Sequence, residues 1–178
     1  DYLMIYFSAH WCPPCRGFTP TLVTKYTALK EAGKKFELIF ASSDKTGDEF
    51  NEYYKEMPWM ALPWAERALE EQLSKFYGCK GIPMLVIINA QTGETVTTDG
   101  KTGISSEDYI DTYPYLPKDV YDLTESMDGI DSGPVLILVQ DLVDKPTQKA
   151  NAKVLVAAVK DKSATFENKV VKYFTGNG

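Results

Sequence analysis

Two cysteines separated by two prolines, Cys12-Pro13-Pro14-Cys15, are the residues of this sequence best suited to chemistry. A thiol pair at this spacing can hold a metal, close a short structural loop, or exchange electrons with another disulfide. Beside them stand the chain's single histidine, His10, the indole of Trp11 and the guanidinium of Arg16. A tetrahedral zinc site takes four ligands, and His10, Cys12, Cys15 and Cys79 are all the imidazole and sulfhydryl groups available. Using every one of them would require His10 and Cys12, close neighbours at a strand end, to converge. A structural disulfide across so short a loop removes little entropy from the unfolded chain. Redox exchange meets the fewest objections.

The elements around the pair favour that chemistry. The apolar run Tyr2 to Phe7 reads as a buried strand. From about Pro14 to Ala32, Phe18, Leu22, Tyr26 and Leu29 recur at helical spacing, Gly33 follows as a C-terminal cap, and Pro20 should kink the helix. A cysteine between strand and helix lies near unpaired backbone N–H groups and the positive end of the helix dipole. That setting lowers a thiol pKa from ~8.5 toward ~7 or below. A proline in the first helical turn costs nothing there, and Arg16 adds a fixed positive charge.

Phe36 to Asp44 reads as a second strand, parallel to the first through a right-handed crossover. Thr46-Gly-Asp-Glu49 has the form of a capping box and opens a helix to about Met57. "MPWMALPW" reads as a loop. A third helix spans roughly Glu66 to Tyr77, with Leu69, Leu73 and Phe76 on one face. Met84 to Asn89 is a third apolar strand, and "ETVTT" a return strand after the turn "AQTG". Pro83 stands immediately before the third strand, where an X-Pro bond can be cis. The proline-broken stretch 110–122 marks a boundary. Beyond it, strands over Gly133 to Asp141 and Asn168 to Gly176 flank a helix over Lys149 to Asp161. No CxxC occurs in this second part, where "LVQDLVDKPTQ" holds the corresponding place.

Composition sets outer limits. The hydrophobic share of 44% and charged share of 25% are those of a folded globular chain. A net charge of -6 argues against nucleic acid as a partner. No apolar run is long enough to span a membrane. The first residue is Asp1 and a strand begins at once, so the chain reads as cut from something longer.

Strand, "WCPPC", a helix with proline eight residues after the first cysteine, and "GIPML" before an apolar strand resemble the thioredoxin superfamily. "YFSAHWCPPCRGFTP", "FASSD", "EFNEYYKEMPWMALPW" and "GIPMLVIINAQTGETVTTDG" narrow the resemblance to its tryparedoxin–nucleoredoxin branch. The resemblance is specific over residues 2–100 and looser beyond about 120. It implies an α/β thioredoxin-like fold, a mixed central sheet flanked by helices over residues 1–117, with N-terminal elements missing. Residues 118–178 would then form an incomplete second thioredoxin-like β-α-β unit, redox-dead and serving contact or stability.

The resemblance also assigns roles. Cys12 is the attacking nucleophile and Cys15 the resolving thiol of a protein-disulfide reductase. Trp11, Ile82 and Pro83 flank an extended substrate, with Pro83 cis, and Trp59 and Trp64 rim the site or, equally, only pack their loop. The alternative for Trp11 is a core anchor. Arg16 stabilises the thiolate. Tyr6 replaces the buried acid of ordinary thioredoxins, so the proton relay must use water or another group. His10 is an exposed bystander, and Cys79 a small buried hydrophobe or, alternatively, a regulatory thiol. No cofactor is bound tightly, and electrons come from an upstream NADPH-dependent reductase or a low-molecular thiol. Partners are disulfide-containing client proteins, that reductase and signalling proteins, in the cytoplasm or nucleus. Two rivals accompany this reading: a redox-sensitive binding module, and a tryparedoxin served by a low-molecular dithiol. A bacterial cytochrome-maturation thioredoxin shares "WCPPCR" but lacks reason for "MPWMALPW" and the second unit.

Overall fold

The structure is a computed structural model that describes residues 1–116, 120–122, 135–139, 144–160 and 170–174. The chain divides into two compact units, Asp1–Leu116 and Pro117–Gly178.

The first unit is built on β1 (Tyr2–Ser8), α1 (Pro13–Glu31), β2 (Phe36–Ser42), α2 (Gly47–Tyr54), β3 (Met60–Ala61), α3 (Arg67–Phe76), β4 (Met84–Asn89), β5 (Thr95–Thr97) and α4 (Gly100–Ser105). Its five-stranded sheet has the order β3-β2-β1-β4-β5. β1 and β2 are parallel, as are β2 and β3, while β4 runs antiparallel to both β1 and β5. Both faces of β1 are buried, which is why its sequence is a continuous apolar run rather than an alternating one. Met4 and Tyr6 face one core with Leu38, Phe40, Leu85 and Ile87, against Leu22 and Leu29 of α1 and Phe50 and Tyr53 of α2. Ile5 and Phe7 face the other, with Val86, Ile88 and Leu73 of α3. This is the expected mixed sheet with helices on both faces.

Local signals account for most element ends. Thr46 and Glu49 make the reciprocal capping box at the start of α2. Gly33 and Gly78 take positive φ after α1 and α3, as C-terminal caps do.

Four elements differ from expectation. "MPWMALPW" is not wholly loop, because Met60–Ala61 pairs with Ile39 and Phe40 as the edge strand β3. α3 is rotated from the expected face: Leu73 packs on the core as expected, but Leu69 and Phe76 are 40% and 77% exposed and Glu70 is buried. The polar end of β2 explains this. Glu70 accepts from Ser43 Oγ at 3.1 Å and pairs with Arg67 at 3.3 Å, and Arg67 Nη1 donates to Ser42 O at 2.5 Å. Satisfying those polar groups decides which face of the helix turns inward. α4 has no apolar periodicity to announce it. It depends on close approach: a Cβ on Gly100 would lie 2.9 Å from Leu85 O, and one on Gly103 2.3 Å from the Tyr115 ring.

In the second unit β6 (Val120–Asp122), β7 (Val135–Val139) and β8 (Val170–Phe174) form a parallel sheet of order β6-β8-β7, with α5 (Lys145–Lys160) between β7 and β8. The fourth difference lies here. β6 falls inside the proline-broken boundary stretch, so this unit is a three-stranded sheet rather than a bare pair. α5 also begins four residues before the expected Lys149. Asp144 Oδ1 accepts from Thr147 N at 2.8 Å, and Pro146 occupies the first turn, where a missing N–H is harmless. The expected strand ends beyond β7 and β8, and the first residues of "LVQDLVDKPTQ", lie outside the described residues.

Candidate functional site

Register brings the candidate residues together. Phe7 of β1 pairs with Met84 of β4, and Ser8 with Ser42 of β2. The chain therefore leaves β1 for the cysteine loop beside two other segments, Ile82-Pro83 before β4 and Ser43-Asp44 after β2.

Cys12 is the N-cap of α1, in extended conformation, and Cys15 lies in its first turn. The two form a disulfide with Cα atoms 5.3 Å apart. Pro13 and Pro14 occupy the first two helical positions and carry no N–H. The first N–H the helix offers is that of Cys15, and it donates to Cys12 Sγ at 3.3 Å. The expected row of unpaired N–H groups reduces to this single donor, which is shared with Cys12 O at 3.1 Å. Arg16 is exposed on the same turn, and the hydrogen bond to the Cys12 sulfur comes from the Cys15 N–H rather than from its guanidinium.

Ala9, Cys12 and Cys15 form a small buried cluster capped by Ile82. The Ile82–Pro83 peptide bond is cis, and Ile82 O lies 3.7 Å from Cys12 Sγ. Cys12 retains 4% exposure and Cys15 none, so Cys12 is the outer sulfur. Trp11 is 47% exposed, its indole held by Nε1–H donating to Ser43 O at 2.9 Å, with Lys45 Nζ 5.7 Å from the ring centroid.

Trp59 does not rim the site. It is 3% exposed and packs edge-on against Tyr6 and Tyr26 in the core under α1, with centroid distances of 6.3 and 5.3 Å. The aromatic rings around it cover its apolar area, and it lies next to the short β3 pairing. Trp64 is half-buried on Phe50 and lies under the Arg67 guanidinium at 4.5 Å. His10 is half-buried rather than exposed, its ring 5.7 Å from that of Tyr53. Cys79 is also half-buried, with Sγ 3.4 Å from Gly81 O in the loop before Pro83.

Two groups of functional weight escaped the sequence reading. Asp44, 3% exposed, accepts from His10 N at 2.6 Å and from Ser42 Oγ at 2.8 Å, pinning the cysteine loop to the end of β2. Beneath Cys15 lies a chain of hydroxyls. Thr19 Oγ1 donates to Cys15 O at 3.0 Å and meets Tyr6 OH at 2.9 Å and Tyr53 OH at 2.5 Å, and Tyr53 meets Ser8 Oγ at 2.9 Å. Burial pushes the Tyr6 phenol well above the usual tyrosine range. It therefore stays protonated and acts as a hydrogen-bonding group, not as a base. Helical spacing from Cys15 to Thr19 was the one available signal. Among the described residues no cluster of histidine, cysteine or carboxylates is arranged to hold a metal.

Residues 1–95 match the family model described as thioredoxin-like. The chain belongs to the thioredoxin-like family of oxidoreductases. Within that family it is 41% identical to nucleoredoxin from Bos taurus over 163 residues, which is 91% of this chain and 37% of that protein. The chain thus spans little more than a third of the nucleoredoxin it matches. The structure of tryparedoxin I from Leishmania major superposes with a TM-score of 0.63 at 43% identity, covering 66% of this chain and 81% of that one. A tryparedoxin II complexed with glutathionylspermidine superposes with a TM-score of 0.62 at 38% identity, covering 66% and 81%. The thioredoxin-like fold expected from the motifs is thereby shown, as is the kinship to nucleoredoxin and tryparedoxin.

Proposed function

We propose that the chain reduces protein disulfides, with Cys12 as nucleophile and Cys15 as resolving thiol. The observation that carries this is the asymmetry of the pair: Cys12 is the outer sulfur and receives the Cys15 N–H, while Cys15 is fully covered. In the reduced protein the Cys12 thiolate attacks one sulfur of a client disulfide. A mixed disulfide forms and the other client sulfur leaves as a thiolate, which takes up a proton. The Cys15 thiol gives up its proton and attacks Cys12 Sγ, releasing the second client thiolate. Two electrons have passed to the client, and Cys12–Cys15 is again a disulfide. Trp11 and the Ile82-Pro83 edge would flank the client strand.

The dithiol carries the electrons itself, so the reaction calls for no tightly bound cofactor. Its reductant would be an NADPH-dependent reductase upstream or a low-molecular thiol, and the glutathionylspermidine held by one structural relative supports the second source. We assign the chain to the cytoplasm or nucleus, where such donors keep thiols reduced, and residues 117–178 to a contact or stabilising role. A second reading, a redox-gated docking module for signalling proteins, draws on the exposed Trp11 indole next to the disulfide.

Insulin reduction with dithiothreitol as terminal reductant tests the proposal. Wild type should exceed Cys12→Ser severalfold, and equal rates would overturn it. Binding of a captured partner that is the same in oxidised, reduced and Cys12→Ser, Cys15→Ser protein would sink the gated reading.

A further inference from the structure

The charge around the disulfide opposes that of the chain. Overall the net charge is -6. Three segments border the two sulfurs: residues 8–18, 42–46 and 79–90. Their exposed charged side chains are Arg16, Lys45 and Lys80, and every one is a cation. The single carboxylate among them, Asp44, is 3% exposed and occupied by His10 N and Ser42 Oγ. Lys45 leans over the Trp11 indole at 5.7 Å, and Lys101 reaches the ring of Phe18, one turn along α1 from Cys15, at 5.9 Å. Of the nearest acids beyond these segments, Glu52 is exposed, paired with Lys55 and within electrostatic reach of His10, and the others are largely committed. Glu49 accepts from the backbone N–H of Lys45 and Thr46, and Glu70 is buried against Arg67. Asp48, in the first turn of α2, is the first exposed carboxylate past them in sequence.

Among the described residues none of these cations has a carboxylate within salt-bridge distance; the ion pairs there are Lys30–Glu37, Lys55–Glu52 and Arg67–Glu70, all elsewhere. An unneutralised positive rim on a negatively charged molecule steers partners by sign, and its reach is set by salt.

We propose that this rim selects clients whose target disulfide is flanked by acidic residues. The inference rests on the reductase reading above. An acidic client segment lying along Ile82-Pro83 would approach Lys80, two residues before Ile82 in the chain, and Lys45, over the Trp11 indole, and a basic segment would be repelled by both. Like-charge juxtaposition rejects partners as effectively as opposite charge attracts them.

The test compares three synthetic peptides of equal length, each with one intramolecular disulfide, flanked by glutamates, lysines or serines. The full chain reduces them with dithiothreitol as terminal reductant. Wild type should reduce the glutamate peptide about tenfold faster in kcat/KM than the lysine peptide at ~10 mM ionic strength, where the Debye length is ~30 Å. Near 1 M salt the ratio should shrink to within about twofold. A Lys45→Glu, Lys80→Glu double variant should erase or invert the preference, read as the ratio within that variant. A wild-type ratio near one at low salt, or a ratio untouched by the double variant, overturns the charge selection while leaving the reductase intact. Reduction of all three peptides no faster than by Cys12→Ser overturns the reductase reading and the selection with it.

Discussion

Replacing Pro14 by alanine isolates what positions the reactive sulfur. An N-cap side chain accepts from the N–H of the second or third helical residue. Here the third, Cys15, supplies its N–H at 3.3 Å, and the second, Pro14, has none to give. Pro14→Ala restores that donor and leaves the Cys15 N–H in place. A hydrogen bond to a charged acceptor nets ~1.5–3 kcal/mol. We take the low end, about 1.5 kcal/mol, because the Cys12 thiolate keeps some contact with water. The reduced form gains that stabilisation and the disulfide does not. The reduction potential should therefore rise by about 30 mV, and the pH midpoint of iodoacetamide alkylation should fall by about one pH unit. Pro13→Ala is the control. It loosens the loop similarly, but the first helical N–H does not address the N-cap side chain, so its effect should be less than a third as large. Equilibration against glutathione redox buffers measures the potential. A potential that stays or falls in Pro14→Ala, or an equal rise in both variants, would refute the claim that the Cys15 N–H is what holds the thiolate.

Two further outcomes follow from the core. Thr19→Val keeps the shape of a fully buried side chain but deletes its bonds to Cys15 O, Tyr6 OH and Tyr53 OH. At about 1 kcal/mol each the loss is roughly 2–3 kcal/mol, a Tm drop on the order of 8–15 °C by calorimetry, and a drop below ~2 °C would show the network to be idle. Gly103→Ala puts a Cβ into the Tyr115 ring and should cost ~1–3 kcal/mol in urea unfolding, with an unchanged midpoint counting against the close approach of α4.

Much of the first unit was legible because its signals are local. The strands β1, β2 and β4 are apolar runs between turn residues, the Thr46–Glu49 box names its own helix, and the cysteine pair lies between one strand and one helix. What escaped depended on contacts distant in sequence. Trp59 reads as a surface aromatic in a proline-rich loop until the Met60–Ala61 pairing with β2 turns it inward. Leu69 and Phe76 suggest an apolar face, yet the demand of Ser42 and Ser43 for polar partners rotates Glu70 inward instead. α4 owes its place to two glycines that let backbone approach backbone and ring, which no hydropathy pattern encodes. Asp44 looked like a strand end, and only the parallel register of β1 and β2 shows that it holds the cysteine loop.

The hydroxyl chain beneath Cys15 has a consequence for proton traffic. Ser8, Thr19, Tyr6 and Tyr53 supply hydroxyl hydrogen bonds, and burial keeps the Tyr6 phenol protonated. The floor of the site is electrically silent. A proton that Cys15 sheds on attack finds no carboxylate among the hydroxyls bonded beneath it. The redox step and its protons are thereby coupled to the bulk, so buffer composition acts directly on the resolving step.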